Sequence, residues 1–216
     1  MRCRWLVTVL GALLVSNGLS QLDAQLASRP AEEWLKTLDS PQRIQGLKID
    51  ETVAKLGLKP GDVVADLGAG SGAFEGALAG AVGPKGTVYA VDIDQKLLDA
   101  INKKAADARV PNVKTVLGKF TDPALPASNV DLAFINDVLH HIEDRGAYLK
   151  NLGRYLKPSG RIAVIDFHPE QGGHRNQPEL QVSKEAAATL MAAAGFKPVE
   201  EIPLFTDKYF AIYARQ

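Results

Sequence analysis

The sequence has little cysteine, little sulfur of any kind and no excess of charge. Cys3 is its one cysteine and it holds 2 methionines. A lone cysteine closes no intrachain disulfide and cannot supply the paired thiolates of a cysteine-rich zinc module. Lys+Arg and Asp+Glu stand at 25 each, so the formal net charge is +0. That balance argues against a generally basic nucleic-acid binder and against a polyacidic tail protein. No nucleic-acid partner is expected. Apolar residues make up 46% and charged residues 23%, an ordinary globular mixture that excludes disorder, collagen and coiled coil. There is no internal repeat, and low complexity is confined to the alanine-rich stretch near 186–194. A length of 216 residues suits one α/β domain and little more.

The first twenty residues read as a leader. Arg2 and Arg4 precede an apolar run from Trp5 to Val15, interrupted only by Thr8 and Gly11, and the first acid is Asp23. A basic start, a short apolar stretch and then Ser16-Asn17-Gly18-Leu19-Ser20 is the layout of a secretory signal peptide. Gly18 and Ser20 fit the small-residue cleavage positions, with Ala24 as a second option. The run is shorter than the roughly 20 residues a membrane span needs. Two other readings stay open, an N-terminal core helix and an uncleaved membrane anchor. Cleavage implies an exported protein, periplasmic in a bacterium or secreted. Retention implies a tethered one, and the leader itself gives transient membrane contact. Cleavage after Ser20 would remove Cys3 and both early arginines.

The remainder alternates between strand and helix signals. The spacing predicts a helix from Ser40-Pro41 to about Leu56, with serine as cap and proline in the first turn. Lys59-Pro60-Gly61-Asp62 is a turn. Short apolar runs at 63–67, 87–92, 113–117, 130–135 and 161–167 read as strands. Helices fall between them: Ala73 to Ala81, Gln95 to Ala106 behind Asp94, and Asp144 to Leu156, closed by Lys157-Pro158-Ser159-Gly160. Ser183 caps a helix that stops at Gly195. Two last apolar runs, Pro198 to Leu204 and Tyr209 to Ala214, read as the final strands. This alternation points to a mostly parallel sheet with helices on both faces.

Gly68-Ala69-Gly70-Ser71-Gly72 joins the first strand to a helix. Glycines there permit positive φ and close approach of a ligand to backbone amides. With Ala73 the loop also fits the dinucleotide form G-x-G-x-x-A. Asp66, two residues before the loop, separates the alternatives. A carboxylate there repels an entering pyrophosphate but suits a ligand carrying an ammonium group. S-adenosylmethionine carries a protonated amine and a sulfonium. Asp92 lies 20 residues beyond Gly72 at the tip of the second strand. In a right-handed βαβ unit that tip stands beside the loop, where a carboxylate can accept two ribose hydroxyls.

These residues resemble the first motif and the following acidic strand of class I S-adenosylmethionine-dependent methyltransferases, of the type 11 kind. Val130 to Phe134, Val138-Leu139-His140-His141-Ile142 and Leu156 to Arg161 resemble that family's later segments in the same order. The resemblance covers roughly residues 45 to 216. It implies a Rossmann-like α/β fold, with a seven-stranded, mostly parallel sheet, helices on both faces and an antiparallel last strand. Residues 1–20 would then be the signal peptide, 21–58 a helical extension and 59–216 the methyltransferase domain. It further implies S-adenosyl-L-methionine as cofactor and a small-molecule methyl acceptor. Asp66 would face the methionine amine through water or loop amides. Gly68, Ala69, Gly70 and Gly72 would make room for the methionine part. Asp92 would hold the ribose, Ile93 and Phe120 would flank the adenine, and Asn136 would lie near the methionine part. Lys119 stands where many relatives have an acid, and Asp122 is a possible substitute.

All four histidines follow strand ends: His140 and His141 after the fourth strand, His168 and His174 after the fifth. Asp137 and Asp166 sit at the same edge. His141 and Asp137, then His168, are the candidates for direct chemistry, because methyl transfer needs a base only when the acceptor must lose a proton. Packing beneath the cofactor is the competing reading for these residues. Imidazoles and carboxylates at one edge also suggest a divalent metal, although no H-x-x-x-H spacing supports one. The Gly172-Gly173 loop reads as a lid or as an exposed connection. Trp34-Leu35 and the 41–56 helix are candidates for a further wall of the acceptor pocket. An NAD(P)-binding oxidoreductase and a non-catalytic cofactor-binding protein are the alternatives to an enzyme of methyl transfer.

Overall fold

A computed structural model describes residues 30–169, 171 and 175–216. The leader and both cleavage positions lie outside the described residues, as do His174 and the paired glycines of the expected lid. Among the described residues no helix is long and apolar enough to cross a membrane.

Three short helices open the fold: α1 (Ala31–Leu38), α2 (Pro41–Gly46) and α3 (Ile49–Lys55). The sequence predicts one helix over 41–56. The structure breaks it at Lys48, which adopts a left-handed backbone, φ 46°. The break is held from outside, because Lys48 Nζ donates to the Leu204 carbonyl at 3.0 Å. Ser40 precedes Pro41 as expected, but its hydroxyl makes no cap and donates instead to the Thr37 carbonyl at 2.9 Å.

Seven strands then form one sheet in the order β3-β2-β1-β4-β5-β7-β6. They are β1 (Val63–Leu67), β2 (Thr87–Asp92), β3 (Val113–Leu117), β4 (Val130–Asn136), β5 (Leu156–Phe167), β6 (Phe196–Glu201) and β7 (Lys208–Arg215). The pairs β1–β2, β1–β4, β2–β3 and β4–β5 are parallel, and β7 runs antiparallel to both of its neighbours. Helices α4 (Glu75–Val82), α5 (Gln95–Asp107), α6 (Arg145–Leu152) and α7 (Lys184–Ala193) follow β1, β2, β4 and β5. Asp94, Asp144 and Ser183 cap three of them by accepting from Lys96, Ala147 and Ala186 amides.

Residue parity divides the core. Ala65, Leu67, Ala133 and Ile135 pack on one face with Leu149 and Met191. Val64, Leu132 and Phe134 pack on the other with Leu56, Phe74 and Leu78. One boundary departs from the sequence reading. Residues 157–160 are not a turn that ends a helix; α6 stops at Leu152 and β5 starts at Leu156. The extra residues form a bulge, since the β4–β5 register jumps from Val130↔Leu156 to Leu132↔Arg161. Because β2 and β4 flank β1 on opposite sides, their helices cross to opposite faces. A crevice is left above the C-terminal end of β1, where ligands bind in open α/β sheets.

Candidate active site

That crevice is a cavity of about 450 Å³, within the range of small-molecule sites. Its floor is the glycine loop, held by β2: the Gly68 and Ala69 amides donate to the Val91 carbonyl at 2.8 and 2.9 Å. Gly68 has φ +74°, and a Cβ built on it would press on the Val138 methyls, one of them at 2.8 Å. Only glycine fits there. The loop thus passes close under the β4 exit and leaves the space above it open.

The two acids expected from the sequence meet in this cavity. Asp66 and Asp92 both line it, and both are buried. Asp92 Oδ2 accepts from the Gly70 amide at 2.8 Å, and Oδ1 accepts from the Asp94 amide at 3.0 Å. Each oxygen keeps a second acceptor site, so the carboxylate is fixed yet able to take a pair of hydroxyls. Burial pushes its pKa up, against the pull of those amides.

Asp66 is built differently. The amides of Gly68, Ala69, Gly70 and Gly72 are spent on Val91, Asp92 and Ala69. Asp66 instead has the buried carboxyl of Glu75, in the first turn of α4, as its neighbour. Burial raises Asp66 to about 7 despite the opposing influence of the Glu75 carboxyl and the nearby Arg43 charge, with Asp92 adding to the rise. Burial and the Asp66 charge push Glu75 well above the usual carboxylate range.

Ile93, Gly118, Lys119 and Phe120 line the β2–β3 end of the cavity, where Ile93 and Phe120 remain part exposed at 38% and 47%. Asn136 lines it at the end of β4. Ala69 and Gly70 line it, whereas Gly72 lies behind the loop, where Ile101 and Glu75 close on it. Asp122 is elsewhere: its Oδ1 accepts from Ala124 N and Tyr155 Oη, bracing the β3–β4 connection.

The catalytic candidates separate. His141 and Asp137 line the cavity. Asp137 has a left-handed backbone, φ 56°, and its Oδ2 lies 2.8 Å from Lys208 Nζ and 4.0 Å from an Arg43 nitrogen. His168 does not line the cavity. It borders a space of only about 10 Å³ with His140 and Asp166, because it continues the parity of Asp166 beyond β5. His140 is a buried packing group, its Nδ1 2.6 Å from Asp166 Oδ1. Among the described residues no three His, Cys, Asp or Glu side chains gather as a metal site.

Sequence reasoning missed Arg43, Lys208 and Glu75. It did expect a wall from Trp34-Leu35 and the 41–56 helix; Trp34, Leu38 and Arg43 line the cavity, and Leu35 does not. Lys104 ties that wall down: its Nζ donates to both Asp39 oxygens at 2.8 and 3.0 Å and to the Ser71 carbonyl at 2.8 Å.

Comparison with known proteins agrees with this geometry. Residues 65–164 match the methyltransferase domain family. The methyltransferase fold extends beyond that match. A SAM-dependent methyltransferase from Aquifex aeolicus superposes with TM-score 0.77 at 24% identity, over 86% of this chain and 98% of that one. Geranyl diphosphate C-methyltransferase from Streptomyces coelicolor superposes with TM-score 0.67 at 16% identity, over 86% and 84%. Among curated proteins, 2-phytyl-1,4-naphtoquinone methyltransferase of Trichormus variabilis is 35% identical over 113 residues, 52% of this chain and 49% of that protein. The ubiquinone/menaquinone biosynthesis C-methyltransferase of Vibrio vulnificus is 32% identical over 117 residues, 54% and 45%. The chain thus spans about half the length of these curated relatives.

Proposed function

We propose that the protein is an S-adenosylmethionine-dependent methyltransferase acting on a small, largely apolar acceptor. The observation that carries this reading is that Asp66 and Asp92, from the ends of the adjacent strands β1 and β2, both line one glycine-floored cavity. Asp92 would take the ribose hydroxyls, with Ile93 and Phe120 against the adenine. Asp66 would take the methionine ammonium, and Arg43 stands near enough to serve its carboxylate. When bound, S-adenosylmethionine supplies a methyl group on an electrophilic sulfonium. Much of the rate can then come from holding the two reactants in line.

The acceptor side is mostly apolar, with Trp34, Leu38, Phe74 and Val138 on the wall. This suits a ring system or an isoprenoid-like body, in keeping with the quinone methyltransferases among the relatives. His141 is the imidazole placed to take a proton if the acceptor must lose one. Asp137, engaged by Lys208, acts as a fixed negative charge. An NAD(P) reading is disfavoured by Asp66, whose carboxyl would face a pyrophosphate across the loop.

Calorimetric titration with adenosylhomocysteine and with NAD tests the reading: binding of the first and not the second is expected, and the reverse would sink it. Transfer of tritiated methyl to quinols and other apolar hydroxylated rings tells an enzyme from a binding protein. We further propose that residues 1–20 export or tether the chain. A fusion of residues 1–30 to an export-dependent reporter decides that point, and a silent reporter rejects it.

A further inference from the structure

The acid beneath the glycine loop has no place in the reading above. Glu75 is 4% exposed, and among the described residues no N–H or hydroxyl donor reaches either of its oxygens. Two carboxylates cannot share a buried site while both are charged, but a carboxylic acid can donate to a carboxylate. We infer that Glu75 is a positioning residue of the cofactor site, a neutral buried acid that donates its proton to Asp66 and holds that carboxylate ready for a ligand ammonium. This inference rests on the cofactor reading proposed above.

The surroundings are consistent with one proton between the two acids. The groups facing the pair are Asp92 from β2, Arg43 from α2 and Lys104 from α5. Lys104 is itself committed to Asp39 and to the Ser71 carbonyl. One guanidinium and one half-neutralised ammonium do not balance three acids in a dry site, so one acid keeps its proton. Glu75 is the acid that keeps it: it is shut away from the cavity with no donor on either oxygen, whereas Asp66 lines the cavity and has the Arg43 charge nearby. Gly72 leaves Glu75 its space, since a Cβ there would stand 3.3 Å from Oε2. Below about pH 7 an entering ammonium must displace a proton from Asp66, and that proton goes to the buffer. Ligand affinity therefore rises with pH up to about 7 and levels off above it.

The test uses the full chain, wild type and with Glu75→Gln or Glu75→Leu. Carboxyl ¹³C NMR follows both acids in the ligand-free protein from pH 5 to 9. Calorimetry measures adenosylhomocysteine and 5′-methylthioadenosine, which lacks the amino-acid part. In the wild type, Glu75 stays protonated at pH 7 and Asp66 titrates near 7. Glutamine keeps a neutral donor, so adenosylhomocysteine affinity stays within about twofold. Leucine removes the donor. The Asp66 midpoint then rises by about one unit, and adenosylhomocysteine binds about fivefold more weakly at pH 7. Methylthioadenosine affinity stays level, which also reports an intact fold. A merely structural role would weaken both ligands alike. An ionised Glu75 at pH 7, or a leucine variant that matches wild type in midpoint and affinity, overturns the inference. Wild-type protein that shows the coupled titration but binds no adenosylhomocysteine overturns the cofactor reading and the ligand half of this inference, and leaves the acid pair standing.

Discussion

Lys208 Nζ lies 2.8 Å from Asp137 Oδ2, joining the first residue of β7 to the first residue after β4. Both side chains are nearly closed to solvent, 8% and 12% exposed. Removing one partner of such a pair leaves an uncompensated charge, while removing both does not. Lys208→Met is therefore expected to cost about 3 kcal/mol in urea unfolding, and Lys208→Met with Asp137→Asn to recover most of that. A double-mutant cycle showing strictly additive losses would mean the pair is not coupled.

Gly68 packs under Val138 with positive φ. Gly68→Ala meets two separate costs. The left-handed backbone costs alanine about 1 kcal/mol, and the crowded methyl adds about 1–3 kcal/mol of overpacking. Adding Val138→Ala removes the second cost and leaves the first. The measurement is the change in unfolding free energy for the single and double variants. A double variant no more stable than Gly68→Ala would locate the strain elsewhere.

The buried acids make stability pH-dependent. Asp66 holds its proton to about 7 when folded, against an ordinary 3.8 for an aspartate in the unfolded chain. The folded state therefore binds more protons than the unfolded chain between those values. A raised acid favours folding fully at low pH and loses that contribution as pH rises through the folded value. The ligand-free protein is thus expected to lose stability from about pH 4 to about pH 7, by on the order of 4 kcal/mol for Asp66 alone. Asp66→Asn should flatten the profile. Urea midpoints at half-unit pH steps check it, and a wild-type profile that rises over this range would contradict it.

What the sequence made legible was local. Asp66, Gly68, Gly70 and Asp92 sit at strand ends whose apolar runs are short and sharply bounded, so their place at the sheet edge followed from the βαβ crossover alone. Asp94 and Ser183 were readable as caps from the helical runs that follow them, whereas Asp144, read as the first residue of its helix, is the cap. What stayed hidden depends on partners far along the chain. Lys208 meets Asp137 across 71 positions, and Lys48 turns left-handed against Leu204 across 156, so neither has a local signal. Residues 157–160 carry proline and glycine and read as a turn, yet the pairing of β5 with β4 absorbs them as a bulge. Glu75 looks like an ordinary acid in a helix's first turn. Its burial comes from the way Gly72 lets α4 close beneath the loop.

His141 and His168 both follow strands and look alike in sequence, but the structure gives them different surroundings. His141 lines the 450 Å³ cavity beside Asn136 and Asp137. His168 lies outside that cavity, its ring 5.9 Å from that of Tyr209. If the acceptor loses a proton during transfer, His141→Ala should lower kcat about 100-fold, the scale of general base catalysis, with cofactor affinity within about twofold of wild type. His168→Ala should leave both within about twofold. The pH profile separates a base from a packing group: loss of the base removes the acidic limb of kcat, while loss of packing scales the whole profile. An acceptor screen followed by kcat against pH for both variants is the measurement. Equal losses at the two positions would move the chemistry away from His141.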